Sequence, residues 1–305
     1  MLLRETLTSA IARLTKADVP SPGLNAELLL MFTLNCDRAY FHAHPERELT
    51  PQELQRYEDA LAKRTSGIPS QYITGHQEFW GLDFIVTPAV LIPRPETEHV
   101  IETVLELVMQ SQKRTAERHK NAAHGASRGL DATDEAPEER KKFIDMGTGS
   151  GCIAIALAAE LPDAEIHAAD ISKAALEVAR TNAARLGQSR IQFHESDLFS
   201  KLETRNFDFI VSNPPYVGES EEEQVQLEVR KHEPHNAVFA GSTGLEIIER
   251  LIPQAHSALI PSGWLVMEIS GTIVEGVKSL LSEWSEVQIV NDLQGIPRVV
   301  SARRP

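Results

Sequence analysis

From Phe143 onward, short runs rich in β-branched and aromatic residues alternate with segments of helical period. Strands are expected at Phe143 to Met146, Glu165 to Ala169, Ile191 to His194, Phe207 to Val211 and Gly263 to Ile269. Helices are expected through Ile153 to Leu157, Lys173 to Leu186, Leu245 to Leu259 and Ile273 to Trp284. A chain patterned this way folds as a mostly parallel sheet with helices on both faces. Two further strands, near Glu286 to Asp292 and Arg298 to Arg303, are joined only through Gly295-Ile296-Pro297. That link is too short for a crossover, so the last pair forms an antiparallel hairpin. The fold class is α/β, with seven strands.

In such sheets ligands bind beyond the carboxyl ends of the strands, and four of those ends carry informative residues. The strand Phe207 to Val211 runs into Asn213-Pro214-Pro215-Tyr216. Two prolines cannot continue a ladder, so the chain leaves the sheet there. The proline that follows holds Asn213 extended. Its carboxamide and the Pro214 carbonyl become fixed acceptors, with Tyr216 as a flat face beside them. A planar group carrying an NH2 would find two acceptors and a stacking wall. Asp145-Met146-Gly147-Thr148-Gly149-Ser150-Gly151 joins a strand to a helix, and its alternate glycines let a ligand approach the backbone closely. The spacing is not that of the dinucleotide fingerprint. Asp145 could pair with a ligand ammonium group. Asp170 ends the next strand, where an acid accepts from ribose hydroxyls; as a purely structural residue it would cap the helix that follows. Asp197 could accept from an adenine amino group while Leu198 or Phe199 packs on the ring; otherwise it is a turn aspartate.

Residues 1–75 read as a small helical domain. Leu3, Leu7, Ile11 and Leu14 mark its first helix. Ser21-Pro22 starts a second, with the stripe Leu24, Leu28, Met31 and Phe32. Thr50-Pro51-Gln52-Glu53 is a capping box opening a third. A hairpin linker, 76–95, turns near Gly81. Residues 96–305 form the α/β domain, beginning with a helix from Glu96 to about Met109. Within it, 111–142 hold a single large apolar residue, Leu130, and are expected to form a flexible insertion.

Of the 305 residues, 42% are hydrophobic and 24% charged, the balance of a soluble globular chain. No run approaches the roughly 18 apolar residues of a membrane span. Arg4, Glu5 and Arg13 at helical spacing read as a folded helix rather than a signal or transit peptide. With only Cys36 and Cys152, the expected compartment is the cytoplasm. The net charge of −14 disfavours nucleic acid as the main partner and suits a basic protein. No metal-ligand spacing is present, and Cys152 lacks a nearby activating base.

The strand-end constellation resembles class I S-adenosylmethionine-dependent methyltransferases. It is similar in particular to the protein-(glutamine) methyltransferase family called HemK or PrmC, which modifies peptide-chain release factors. The resemblance covers nearly the whole chain outside 111–142. It is carried by Leu24 to Leu30, Ala43 to Leu49, Tyr72-Ile73-Thr74-Gly75, Glu78-Phe79-Trp80-Gly81-Leu82, Leu91 to Glu98 and Asn213 to Tyr216. It implies a Rossmann-like domain that binds S-adenosyl-L-methionine through Gly147, Thr148, Gly149, Ser150, Gly151, Asp170, Leu198 and Asn213. It further implies that Asn213, Pro214, Pro215 and Tyr216 hold the glutamine of a Gly-Gly-Gln loop. Where some relatives carry an aromatic residue this chain has Leu198, and Glu268 to Gly271 and Gly295 to Arg298 only approximate family patterns, so no role is assigned to those two segments. A monomer is expected. Two alternatives stay open at this level: a nucleic-acid adenine methyltransferase, whose target is also a planar NH2, and a binding module without turnover.

Overall fold

The computed structural model describes residues 1–125 and 140–305. Five helices form the amino-terminal part: α1 (Leu3–Lys16), α2 (Pro22–Leu34), α3 (Arg38–Ala43), α4 (Pro51–Thr65) and α5 (Ser70–Thr74). Leu3, Leu14, Leu29, Leu30, Phe41, Tyr57 and Leu61 make its buried core. The capping box is present: Thr50 Oγ1 accepts from Glu53 N at 3.2 Å, and the Glu53 carboxylate accepts from Thr50 N at 2.9 Å.

The second helix differs from expectation. Ser21 stands at the N-cap position in a left-handed conformation, with φ +47°, and its hydroxyl makes no cap bond. Asn25 Nδ2 donates instead to Pro20 O and Ser21 O. The buried face is Ala26, Leu29, Leu30 and Thr33, while Leu24 and Phe32 are exposed. This helix is apolar nearly all round, so periodicity cannot choose a face. Packing does, and Tyr57 OH locks the choice by donating to Ala26 O at 3.0 Å.

The linker is a hairpin of β1 (His76–Phe79) and β2 (Leu82–Ile85). Trp80 and Gly81 at its tip both have positive φ, +54° and +67°, the two-residue turn that matches strand twist. A 3-10 turn at Pro95–Thr97 leads into α6 (Glu98–Gly125). That helix runs well past the expected end at Met109, into the stretch read as flexible. Ser111 to Gly125 is rich in Gln, Lys, Arg, Ala and Glu, strong helix formers with no intervening proline. Extending a nucleated helix costs little even without an apolar face. At its far end the same stretch is also ordered, since Lys142 begins a strand. The rest of the expected insertion, 126–139, lies outside the described residues.

The α/β part continues through β3 (Lys142–Met146), α7 (Cys152–Glu160), β4 (Glu165–Asp170), α8 (Lys173–Arg185), β5 (Gln192–Glu195) and β6 (Phe207–Ser212). An excursion follows: β7 (Val217–Gly218), α9 (Leu227–His232), α10 (His235–Val238) and β8 (Phe239–Gly241). The chain closes with α11 (Glu246–Ala258), β9 (Leu259–Glu268), α12 (Val274–Leu280), β10 (Ser285–Asn291) and β11 (Pro297–Arg303). The main sheet has seven strands in the order β10-β11-β9-β6-β3-β4-β5. Five are parallel; β11 runs antiparallel to β9, and β10 antiparallel to β11. Both faces are covered. Phe143 and Phe209, paired in register and stacked at 4.8 Å, belong to one core cluster with α6 and α7 residues. Ile144 and Ile210, one position on, belong to the other cluster with α11 and α12 residues. Strand order reverses between β3 and β6, which puts a crevice at their carboxyl ends. Among the described residues no helix is long and apolar enough to cross a membrane, and no group of three His, Cys, Asp or Glu is placed to hold a metal ion.

Candidate active site

The main cavity opens at that strand reversal. Its walls come from Ala89 to Arg94, the Gly147–Ser150 turn, Asp170, Asp197-Leu198, Asn213 to Pro215, and the Pro234–Ala237 excursion.

The turn after β3 is held by backbone bonds. Gly147 N and Thr148 N both donate to Ala169 O, at 2.8 and 3.0 Å, so the turn is tied to the neighbouring strand. Gly147, Gly149 and Gly151 have φ of +76°, +54° and +83°. A Cβ at Gly147 or Gly149 would meet nothing within 4 Å, whereas one at Gly151 would strike Ile155 and Ala179. The first two glycines therefore keep an open cradle, and the third permits helix packing. Asp170 bridges two loops, with Oδ2 accepting from Gly149 N at 2.9 Å and Oδ1 from Ser172 N at 2.8 Å. Its burial pushes its pKa up against those bonds. The cap of α8 is made by Ser172, whose hydroxyl accepts from Ala175 N, so Asp170 sets the turn and not the cap.

Asp145 stands behind the glycine wall, 1% exposed. Its Oδ2 accepts from Thr148 Oγ1 at 2.6 Å and Ala154 N at 3.2 Å. Its Oδ1 is buried with no partner among the described residues, and burial pushes the carboxyl up to about 7. Cys152 lines the cavity, but burial pushes its thiol up to about 12, so it is no nucleophile at neutral pH. At the third strand end Leu198 reaches the cavity with φ +48°. Asp197 Oδ2 is already paired with Arg250 Nη2 at 2.6 Å, a partner on α11 that the sequence does not announce.

The end of β6 is locked by Ser212 Oγ, which donates to Met146 O at 2.7 Å. Asn213 Nδ2 donates to Thr97 Oγ1 at 3.1 Å, and Thr97 Oγ1 donates to Glu268 Oε2 at 2.6 Å. Tyr216 is turned inward, unlike the stacking wall expected of it. Its hydroxyl donates to Glu268 Oε1 at 2.9 Å and its ring packs on the α11–α12 side of the core. Pro214 and Pro215 form the cavity wall here.

Several residues of this site escaped the sequence reading. Glu268 is buried at the end of β9, with its pKa raised by burial. A lone carboxylate in the apolar run Trp264 to Ile269 was the available signal, because such a group is not buried without partners. Glu233, also buried, accepts from Ile92 N at 3.1 Å and pairs with Arg94, which fixes the Leu91–Arg94 wall. Asn182, fully buried on α8, donates to Ser150 O and Ile85 O and accepts from Ile85 N. It pins the hairpin to the glycine turn.

A sheet of this order, with a glycine turn and an asparagine at adjacent strand ends, defines a methyltransferase domain. Family models agree: residues 5–75 match "PrmC N-terminal domain" and residues 126–232 match "Methyltransferase small domain". Among solved structures, the hMettl16 catalytic domain aligns with a TM-score of 0.53 at 18% identity, covering 80% of this chain and 81% of that one. That likeness shows the fold alone. The release factor glutamine methyltransferase of Koribacter versatilis is 51% identical over 100% of this chain and 99% of that protein. The one of Geobacter sulfurreducens is 36% identical over 99% and 96%. The chain belongs to the release factor glutamine methyltransferase family.

Proposed function

We propose that this chain transfers a methyl group from S-adenosyl-L-methionine to the side-chain amide nitrogen of a glutamine, the one in the Gly-Gly-Gln loop of peptide-chain release factors. The observation that carries this reading is the anchoring of Asn213. Its NH2 donates to Thr97 Oγ1, so its Oδ1, at the other end of the carboxamide, is the end turned away from Thr97 and available to accept. Among the described residues no group donates to the Pro214 carbonyl beside it. Two acceptors on consecutive residues of the cavity wall suit the two N–H bonds of a carboxamide.

The cradle fits the methyl donor. Gly147 and Gly149 leave their Cβ space open, Asp170 presents a carboxylate to the cavity, and Leu198 offers an apolar surface for an adenine ring. The orphaned Asp145 Oδ1 is a buried acceptor behind Thr148, suited to a cationic group reached through the turn. When bound, the donor supplies an electrophilic sulfonium methyl. An amide nitrogen is a poor nucleophile, because its lone pair is delocalised into the carbonyl. Acceptance of both N–H bonds by Asn213 Oδ1 and Pro214 O raises electron density on nitrogen and aims it, and orientation of this kind lowers a barrier by several kcal/mol. The same two dipoles stabilise the positive charge that grows on nitrogen. The new C–N bond forms as the C–S bond breaks, sulfur keeps the pair, and the now acidic N–H proton leaves to solvent.

Residues 1–75 serve to recognise the release factor, 76–95 join the two parts, and 96–305 carry the transfer. The enzyme works as a cytoplasmic monomer without nucleic acid or metal. Label transfer from tritiated donor tests the reading. Release factor acquires label, RNA and DNA do not, and Asn213→Ala abolishes transfer while the protein folds normally. Label in nucleic acid, or an unchanged kcat for Asn213→Ala, would overturn it.

A further inference from the structure

We propose that Thr97 and Glu268 are positioning residues that fix the flip of the Asn213 carboxamide, and so decide which of its two ends faces the crevice. The proposal rests on the reading of Asn213 as the acceptor for the substrate amide.

A carboxamide has two ends of nearly the same shape and opposite chemistry, an oxygen that accepts and an NH2 that donates. Rotated by half a turn, Asn213 would present donors to a substrate NH2 and repel it. Nothing in the shape of the residue prevents this, so the choice must come from its surroundings. The surroundings here are directional. An ionised carboxylate can only accept, and both oxygens of Glu268 are engaged by hydroxyl donors, Oε1 by Tyr216 at 2.9 Å and Oε2 by Thr97 at 2.6 Å. A threonine hydroxyl has one proton. Once that proton points at Glu268, Thr97 Oγ1 offers only lone pairs to a third group. The third group is Asn213 Nδ2 at 3.1 Å. The acceptor-only character of Glu268 is thus passed through one hydroxyl and emerges as an Asn213 whose oxygen faces away from Thr97.

The three residues come from separate parts of the fold: the turn before α6, the end of β9 and the end of β6. Thr97 and Glu268 are each 2% exposed, so water cannot substitute for either partner. Burying a carboxylate is a poor way to gain stability. Its placement directly behind the site is accounted for by the polarity it imposes.

The test uses the full-length enzyme, a release factor and S-adenosyl-L-methionine, with kcat, KM and donor Kd measured separately. Thr97→Val keeps the shape and removes the lone pairs. It is expected to lower kcat about 10- to 100-fold, the worth of one buried hydrogen bond in a transition state, with donor Kd near native and a melting temperature lowered by the Glu268 oxygen left without its donor, so kcat is read at a temperature where the variant is folded. Thr97→Ser, which restores the hydroxyl, recovers most of the loss. Native kcat in Thr97→Val overturns the proposal, and so does equal impairment of Thr97→Val and Thr97→Ser. If Thr97→Val does not fold, Glu268→Gln takes its place: its amide can donate to Thr97 and reverse the hydroxyl, so kcat falls, and native kcat there overturns the proposal. Failure of the underlying reading is distinguishable, since Asn213→Ala alone would then retain transfer.

Discussion

Gly151→Ala places one carbon where the fold has no room. The residue sits at φ +83°, and an added Cβ would lie 3.0 Å from Ile155 Cδ1, 3.1 Å from Ala179 Cβ and 3.3 Å from Ala179 Cα. The isoleucine methyl can turn aside, but the Ala179 contacts are the body of α8. A left-handed alanine costs about 1–2 kcal/mol, and overpacking a tight core adds about 1–3 kcal/mol. The expected loss is about 2–5 kcal/mol, a large share of the stability of an ordinary domain. Gly149→Ala is the control. At φ +54° it carries only the conformational cost, because its Cβ meets nothing within 4 Å. That open space belongs to a residue lining the cavity, so the lost quantity is donor affinity. Urea unfolding followed by circular dichroism measures the first effect, and calorimetric titration with S-adenosyl-L-methionine the second. A stability loss below about 1 kcal/mol in Gly151→Ala, or native donor affinity in Gly149→Ala, would refute this division of labour among the glycines.

Three further outcomes follow from the buried groups. Burial raises Asp145 from 3.8 to about 7, so the folded state holds a proton that the unfolded state has lost. Its contribution to stability is complete below about pH 4 and is lost as pH rises through about 7, an upper bound of about 4 kcal/mol; urea midpoints at about pH 5 and pH 8 fall more for the native chain than for Asp145→Asn. Glu268 is also raised, by burial first, with Thr97, Tyr216, Glu96 and Arg298 as the groups that bear on it. As pH falls and Glu268 takes a proton, Thr97 loses its obligatory acceptor, so kcat shows an acid limb that Glu268→Gln lacks. Gly244→Ala would set a Cβ 2.5 Å from Tyr216 O at φ +82°, displacing the chain just after the two prolines. Steady-state assays should show a fall in kcat with donor Kd little changed.

The strand ends were legible because strand termination is a local event. Prolines at 214 and 215 must leave the sheet, and alternate glycines at 147, 149 and 151 must turn. The acids at 145, 170 and 197 were placed beside the crevice by the same logic. Their partners were not legible. Thr97 and Glu268 lie 171 positions apart, and Asn213 and Thr97 116 apart, and no periodicity encodes such pairings. For that reason Tyr216 read as a wall when it is an inward donor, and the Arg250 partner of Asp197 Oδ2 was not foreseen. The exposed face of α2 was misread because a helix apolar all round carries no directional signal. The extension of α6 was missed because low hydrophobicity argues against burial, which is not an argument against helix.

The central claim concerns one nitrogen. Release factor incubated with the enzyme and S-adenosyl-L-methionine, then digested and mapped by tandem mass spectrometry, should carry a single methyl group on the side-chain amide of the Gly-Gly-Gln glutamine, absent when Asn213→Ala replaces the native enzyme. A methyl group mapped to any other residue, or a release factor whose mass does not change, would contradict the account.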